Sequence, residues 1–353
     1  MHNSRITRRT ALTVAAGAVA APFLSRMGRA ADDNTVVFVG WGGNDQDNIR
    51  EIYFKSFEKE TGIKVIDQTL GSDGLAQIKT MAASSNMQWD VVHCLGMWIP
   101  LGVKQNLWEE LDYSVIQKGG VDPGLITPHS IGFITNGIVL VYNTDKAQGD
   151  NIPKSWADFW NTDKFDGARG LQDAPRYTLE FALLADGVAA KDLYPLDVDR
   201  AFKSLDKIKD KIHVWWKQWP QVPVLLASGE LVESYMSDGR IVDMKQKEHA
   251  PVDLLWKDGL LTVDPLGVPI GAPHKQNAMK LINWMIKPEL QAEAAKAGLG
   301  PSNNDAGNMV DEAAKTNLPA YHFKSGDLIP FSDTWWSENN DEMLRRWNEW
   351  KQT

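Results

Sequence analysis

The sequence holds a single cysteine, Cys94, among 353 residues. No disulfide can form within the chain, and a thiolate metal cluster has no ligand set. The seven histidines are scattered, with no HExxH or HxH pair, so zinc hydrolysis has no motif to rest on. A GxSxG elbow, a Cys/His nucleophile pair and a dinucleotide fingerprint are also missing; Gly42-Gly43 lacks the third glycine and its spacing. There is no Gly/Ser linker, low-complexity tract or short-period repeat. Beyond residue 30 there is no run of uncharged apolar residues long enough to cross a bilayer. These absences leave an enzyme without sequence support, and no metal or cofactor is expected.

The chain is 43% hydrophobic and 24% charged, which suits two compact domains of ordinary size. Its formal charge is −9. Residues 1–30 carry arginines and no acid, so the remainder is more acidic still. An acidic body disfavours nucleic acid and anionic membrane surfaces and is compatible with a cationic ligand. The fifteen tryptophans offer flat apolar walls and cation-attracting faces, although most are expected to be packing. Ser4 to Leu12 places Arg8-Arg9 in a polar basic segment, followed by a modest apolar run from Ala11 to Leu24 and small residues at Gly28-Arg29-Ala30-Ala31. This pattern reads as a twin-arginine (Tat) signal peptide over 1–30, which implies a periplasmic mature protein.

Past that leader the chain alternates strand and helix. Asn34–Gly40, Ile63–Ile66 and Trp89–Cys94 read as strands, and 46–61 and 74–86 as helices, the first with Ile49, Ile52, Tyr53 and Phe57 on one stripe. That order implies a parallel α/β sheet with ligands beyond the strands' carboxyl ends, where Trp41, His93 and the Cys94–Trp98 turn fall. A second α/β unit follows, with strands at Gly170–Asp173, Ile212–Trp216 and Val232–Met236. Ser155 is the expected cap of the Trp156–Trp160 helix, and Pro175 opens a helix running to Leu184. Residues 276–287, 289–297 and 338–350 read as helices, the last preceded by a long irregular piece. Ile138–Tyr142 and Gly259–Pro269 are the two crossings between the units, which suggests a hinged cleft. Asp264 interrupts the second crossing. A carboxylate in an apolar strand needs a partner, either a ligand ammonium or backbone N–H groups or a lysine at a turn.

In order and spacing, several stretches resemble one family: Phe57-Glu-Lys-Glu-Thr-Gly-Ile-Lys-Val65, Trp89-Asp-Val-Val92, Ser155-Trp-Ala-Asp-Phe-Trp160, Leu226-Ala-Ser-Gly-Glu230, Val263-Asp-Pro-Leu-Gly-Val-Pro269, Ala278-Met-Lys-Leu-Ile-Asn283 and Asp333-Thr-Trp-Trp336 with Arg346-Trp-Asn-Glu-Trp350. Over nearly all of the mature chain it resembles the periplasmic solute-binding proteins of ABC importers, in the spermidine/putrescine-binding branch. The resemblance implies a two-lobed periplasmic binding protein fold of the α/β class, each lobe a mostly parallel sheet flanked by helices, joined by two hinge crossings. Residues 31–138 with 264–325 would form one lobe, and 139–263 with 326–353 the other. It implies capture of a small amine-bearing or zwitterionic solute and delivery to an inner-membrane permease; a monomer is expected. A sensor on the same fold, signalling to a membrane receptor, is a further possibility.

By the resemblance, Asp264 matches the family's amine-binding acid and Trp41 the tryptophan after the first strand. Polyamine binders carry two further acids where this chain has Ala174 and Tyr177, a tryptophan where it has Thr262, and a polar and an aromatic residue where it has Leu95 and Met97. One ammonium end therefore has a partner, and the other end differs. If Arg176 points into the cleft it suits a carboxylate, and the solute becomes an ω-amino acid such as 4-aminobutyrate. Alternatively Arg176 faces solvent, or Asp173, Glu180 or Glu233 replaces the missing acids. Further candidate contacts are Tyr177, Tyr235, Ser234, Met97, Trp98 and one of Trp215 and Trp216, which must point to opposite faces of their strand. Trp335-Trp336 is expected to staple the lobes.

Overall fold

The computed structural model describes residues 34–70 and 74–353; the expected leader at 1–30 lies outside them. Strand β1 (Thr35–Gly40) is apolar and buried along its length after the first residue. A helical stretch follows as α1 (Gly43–Ile49), a π-turn over Arg50–Phe54, and α2 (Lys55–Thr61), stopped by Gly62 at a φ of 71°. That stretch buries Ile49, Tyr53 and Phe57 as the periodicity predicts; the π-turn brings Phe54 inward as well, while Ile52 is half-buried. Next come β2 (Lys64–Thr69), α3 (Gly74–Ala83), β3 (Val91–His93) and α4 (Trp98–Val103). β1 pairs in parallel with both β2 and β3.

The first crossing strand, β4 (Ser130–Asn143), is more than twice the length expected. Its earlier half carries Gly132, Asn136 and Gly137, which break the apolar signal, yet it is buried almost throughout. The second unit supplies α5 (Trp156–Trp160), β5 (Arg169–Gln172), α6 (Thr178–Ala185), α7 (Val198–Asp206), β6 (Ile212–Trp216), α8 (Gln221–Ser228), β7 (Glu233–Ser237) and α9 (Asp238–Asp243). Ser155 Oγ accepts from Asp158 N at 3.2 Å and caps α5 as expected. Trp156 stacks on Phe181 with centroids 3.7 Å apart, fastening α5 to α6. β5 is parallel to β6 and β7.

The second crossing, β8 (Val252–Gly267), also begins earlier than its apolar run. α10 (Lys275–Met285) and α11 (Pro288–Lys296) meet at Pro288, which ends one helix and occupies the first turn of the next. The piece read as irregular contains β9 (Gly300–Pro301), α12 (Asn304–Asn308), α13 (Glu312–Lys315), α14 (Pro319–Ser325) and β10 (Leu328–Pro330). The last helix, α15 (Asp333–Gln352), starts five residues before the expected Glu338, because Ser332 Oγ accepts from Trp335 N and caps it there.

The sheet runs β2-β1-β3-β8-β4-β7-β5-β6. Each flank is a parallel trio, as the alternation predicts. The two crossing strands differ from that expectation: they lie side by side, antiparallel to each other and to their neighbours β3 and β7. Their register shifts between Gly132 and Ile134 and again between Ile138 and Leu140. One hydrophobic core gathers Phe38, Tyr53, Phe57, Met279 and Ile282 on the β1 side; a larger one continues across the crossing strands to Trp156, Phe181 and Tyr235.

Candidate functional site

Three chain segments converge where β1, β3 and β8 meet. β1 ends at Gly40, and the chain turns through Gly42 and Gly43, both at positive φ, with Gln46 Oε1 accepting from Gly42 N at 2.7 Å. That turn projects Trp41. Its ring lies 5.5 Å from Trp98 and edge-on to His93 at 6.3 Å, and its buried indole N–H has no hydrogen-bond partner among the described residues. His93 ends β3 and is only 3% exposed, walled by Phe38 and Phe133. Asp264 sits opposite Ile134 in the β4–β8 ladder. Its Oδ2 accepts from Asn136 Nδ2 at 3.3 Å and lies 3.5 Å from His93 Nε2. Among the described residues no lysine or arginine pairs with it. The carboxylate is thus hydrogen-bonded by an amide, with the His93 imidazole nearby but both its ring nitrogens without a hydrogen-bond partner among the described residues, and at 18% exposure it remains reachable.

The second convergence follows β5. Tyr177 takes a φ of 67° at the start of α6, a conformation costing about 1–3 kcal/mol that surrounding structure must impose. This turn carries Arg176 inward, not to solvent. Its guanidinium lies between the Tyr177 and Phe331 rings, 4.6 and 4.7 Å from their centroids. Nη2 is 3.4 Å from Asp333 Oδ1, and Nε is buried without a partner among the described residues. Asp333, in the first turn of α15, leans on Gly96; a Cβ there would stand 2.1 Å from Oδ2, so any larger residue would push the carboxylate from this position. Burial pushes the Asp333 carboxyl up to about 6, against the pull of Arg176 and with Asp264 adding to the rise. The charge of Asp264 also acts on Arg176 and Tyr177, which places the two convergences in one electrostatic neighbourhood. A groove of about 540 Å³ opens beside Asp333, lined by Gly96, Ile99, Leu125, Val263 and Pro265 among others. Asp45 on α1 and Arg240 on α9 face each other at 3.9 Å near the His93 side.

Trp41, Asp264, Arg176 and Tyr177 are therefore brought together. Met97 is buried at the start of α4, where its backbone N–H supports Asp333. Tyr235 and Trp216 lie one layer behind Tyr177. The Tyr235 hydroxyl is engaged by Thr178 Oγ1 and Gln172 Oε1, and Trp216 Nε1 donates to Ser234 Oγ at 3.2 Å. Trp215 takes the opposite face, as the alternation requires, and packs on Trp347 and Trp350 of α15. The acids weighed as substitutes have protein neighbours of their own, although Glu180 Oε2 and Glu233 Oε2 are buried without a hydrogen-bond partner among the described residues and the Glu180 charge acts on Arg176. Asp173 accepts from Trp347 Nε1 at 3.1 Å, Glu233 lies 3.9 Å from Arg169, and Glu180 Oε1 accepts from Tyr194 and Trp336. Trp336 is fully buried, stacked parallel to Phe331. Asn136, Asp333 and Phe331 were not among the residues the sequence singled out for the site. Asn136 falls in the unread half of β4, and Asp333 appeared only as part of a family fragment.

Burial also pushes Glu180 up to about 7 and Asp238 up to about 8, the latter accepting from Gly137 N at 2.8 Å on the first crossing. In an unfolded chain both ionise near pH 4. Between those limits the folded state binds the extra protons, so their stabilisation is full below about pH 4 and is lost as pH rises through 7 and 8. The melting temperature is expected to fall between pH 5 and pH 8. The variant Asp238→Asn should flatten that slope; a slope unchanged in a thermal melt series would exclude Asp238 as its source.

The profile of the bacterial extracellular solute-binding proteins matches residues 53–320. The gamma-aminobutyric acid-binding protein of Pseudomonas aeruginosa is 30% identical over 91% of this chain and 92% of its own length. The spermidine/putrescine-binding periplasmic protein of Escherichia coli is 25% identical over 84% and 85%. A solved GABA receptor superposes with a TM-score of 0.81 at 35% identity, over 90% of this chain and 97% of that one. The architecture is the two-lobed α/β fold of periplasmic binding proteins. With the matched profile spanning most of its length, the chain belongs to the bacterial extracellular solute-binding protein family.

Proposed function

We propose that this protein captures an ω-amino acid, with 4-aminobutyrate as the type compound, in the periplasm and delivers it to an ABC permease in the inner membrane. The ammonium sits at Asp264 beneath Trp41, and the carboxylate at Arg176. The single observation that carries this reading is the buried Arg176 guanidinium, clamped between two rings with Nε unpartnered, in the same neighbourhood as Asp264. A planar fork of donors suits a carboxylate, whereas a second ammonium would meet a cation there. The lack of acids at Ala174 and Tyr177, and the hydrogen bonds that Trp347 gives Asp173 and that Tyr194 and Trp336 give Glu180 Oε1, support the same choice over a polyamine. The relatives named for gamma-aminobutyric acid agree with it. Closure would swing 31–138 with 264–325 against 139–263 with 326–353 about the paired crossings β4 and β8. Export by the Tat route rests on Arg8-Arg9.

A thermal-shift screen tests this directly, since a ligand that binds only the folded state raises its apparent stability. At a concentration of about 100 times Kd the gain is about 2.7 kcal/mol, readily visible as a higher melting temperature. We expect 4-aminobutyrate and its neighbours in chain length to give the largest shifts. Shifts only with putrescine and spermidine would replace the ω-amino acid by a polyamine.

A further inference from the structure

Arg176 does not stand alone at its end of the site. Asp333 reaches it from α15, and both partners are held in place from behind. The guanidinium is confined between Tyr177 and Phe331, and the carboxylate is confined by Gly96 and by the backbone N–H of Met97. Their separation of 3.4 Å exceeds the 2.7–2.9 Å of a well-made charge-assisted hydrogen bond. The pair is loose, and Arg176 Nε stays unpartnered among the described residues.

We propose that Asp333 is a specificity-determining residue, a built-in carboxylate that occupies one arm of Arg176 and so sets the charge type of solute the cleft accepts. The inference rests on the reading of Arg176 as the anion end of the site. A solute carboxylate arriving at Arg176 meets a like charge a few ångströms away and must displace it or neutralise it. A cationic solute meets the opposite situation. With Asp333 and Asp264 both ionised, one arginine is shared by two acids, which weakens its hold on a solute carboxylate and narrows the margin over a cation. With a neutral side chain at 333, Arg176 and Asp264 balance one another, the pattern that matches a zwitterion. Repulsive elements of this kind are how binding proteins separate solutes that share one end.

The titratable and charged groups around the Arg176–Asp333 pair are Arg176, Tyr177, Asp264 on β8, the Cys94 thiol beyond β3 and Glu180 on α6, whose charge acts on Arg176 and Tyr177. Asp333, raised to about 6, and Glu180, raised to about 7, both take up protons between pH 7.5 and 5.5, so acidification should reproduce the neutral side chain at 333, and the variant, which keeps Glu180, isolates the share of Asp333. The experiment is isothermal titration of wild type and Asp333→Asn with 4-aminobutyrate and with putrescine, at both pH values. At pH 7.5 the variant should bind 4-aminobutyrate about tenfold more tightly and putrescine about tenfold more weakly, a modest share of the repulsion between charges about 4 Å apart near a protein surface. Wild type should tighten for 4-aminobutyrate on acidification by more than the variant does. Equal weakening for both solutes, or an unchanged ratio, overturns the proposal, since a merely structural role would move both together. Asp333→Ser, which also removes the charge, is read by the same ratio where the asparagine variant melts early. Wild type that takes putrescine and refuses 4-aminobutyrate defeats the ω-amino acid reading alone; the Asp333 proposal then stands if the variant gains 4-aminobutyrate binding and falls if it does not. Wild type that binds neither defeats both.

Discussion

Asp264→Asn is expected to weaken solute binding by about 2–5 kcal/mol, the range for removing one partner of a desolvated charge pair. That corresponds to roughly thirtyfold to several-thousandfold in Kd. The side chain is well suited to such a test because its surroundings tolerate an amide. Oδ2 already receives Asn136 Nδ2, a bond an amide oxygen can also accept, and among the described residues no lysine or arginine pairs with it that the substitution would orphan. The fold should therefore survive, and the loss should be confined to the ammonium, which trades an anion for a dipole at a position beneath Trp41. The same substitution should cost less for a solute whose nitrogen is uncharged. Calorimetric titration of wild type and the variant with 4-aminobutyrate decides the matter, and near-equal affinities would remove Asp264 from the site.

The sequence made Asp264 conspicuous for a physical reason. A single acid in Gly259–Pro269 interrupts an apolar run, and burial of that acid demands an explanation. Trp41 was legible in the same way, as the first residue past a buried strand in a parallel sheet. The alternation of strands and helices was equally plain wherever side chains repeat with one period. Legibility failed where backbone arrangement decides the outcome. The first half of β4 is a strand because β8 and β9 pair with it, not because Gly132, Asn136 and Gly137 favour one. Arg176 points inward because Tyr177 adopts a left-handed conformation that nothing in Ala174-Pro175-Arg176-Tyr177 announces. Asp333 joins the site because α15 starts early and Gly96, 237 positions before it in the chain, leaves space for its carboxylate. Trp215 and Trp216 were correctly placed on opposite faces, yet their destinations, α15 and the layer behind Tyr177, depend on packing partners remote in sequence.

The substitution Arg176→Ala should separate the two ends of the site. Binding of 4-aminobutyrate is expected to fall by about 3 kcal/mol or more, because a carboxylate would lose its charged fork and face Asp333 unshielded. Putrescine should bind as well as before or better, since the same change leaves Asp333 and Asp264 without an opposing cation. The opposite signs for two solutes make this distinct from a general collapse of the cleft. Stability will also suffer, but less than the roughly 3–5 kcal/mol typical of breaking a buried pair. The abandoned Asp333 carboxyl is already raised to about 6 and retains partial exposure, so without Arg176 it can take up a proton in place of an ion partner. The stability deficit of the variant should accordingly shrink as pH falls toward 5, because protonation removes the uncompensated charge, and widen as pH rises toward 8. Parallel loss of both solutes would mean that Arg176 supports the cleft without addressing the solute. Loss of 4-aminobutyrate alone, with a deficit that closes on acidification, would fix Arg176 as the anion end and Asp333 as the charge it balances.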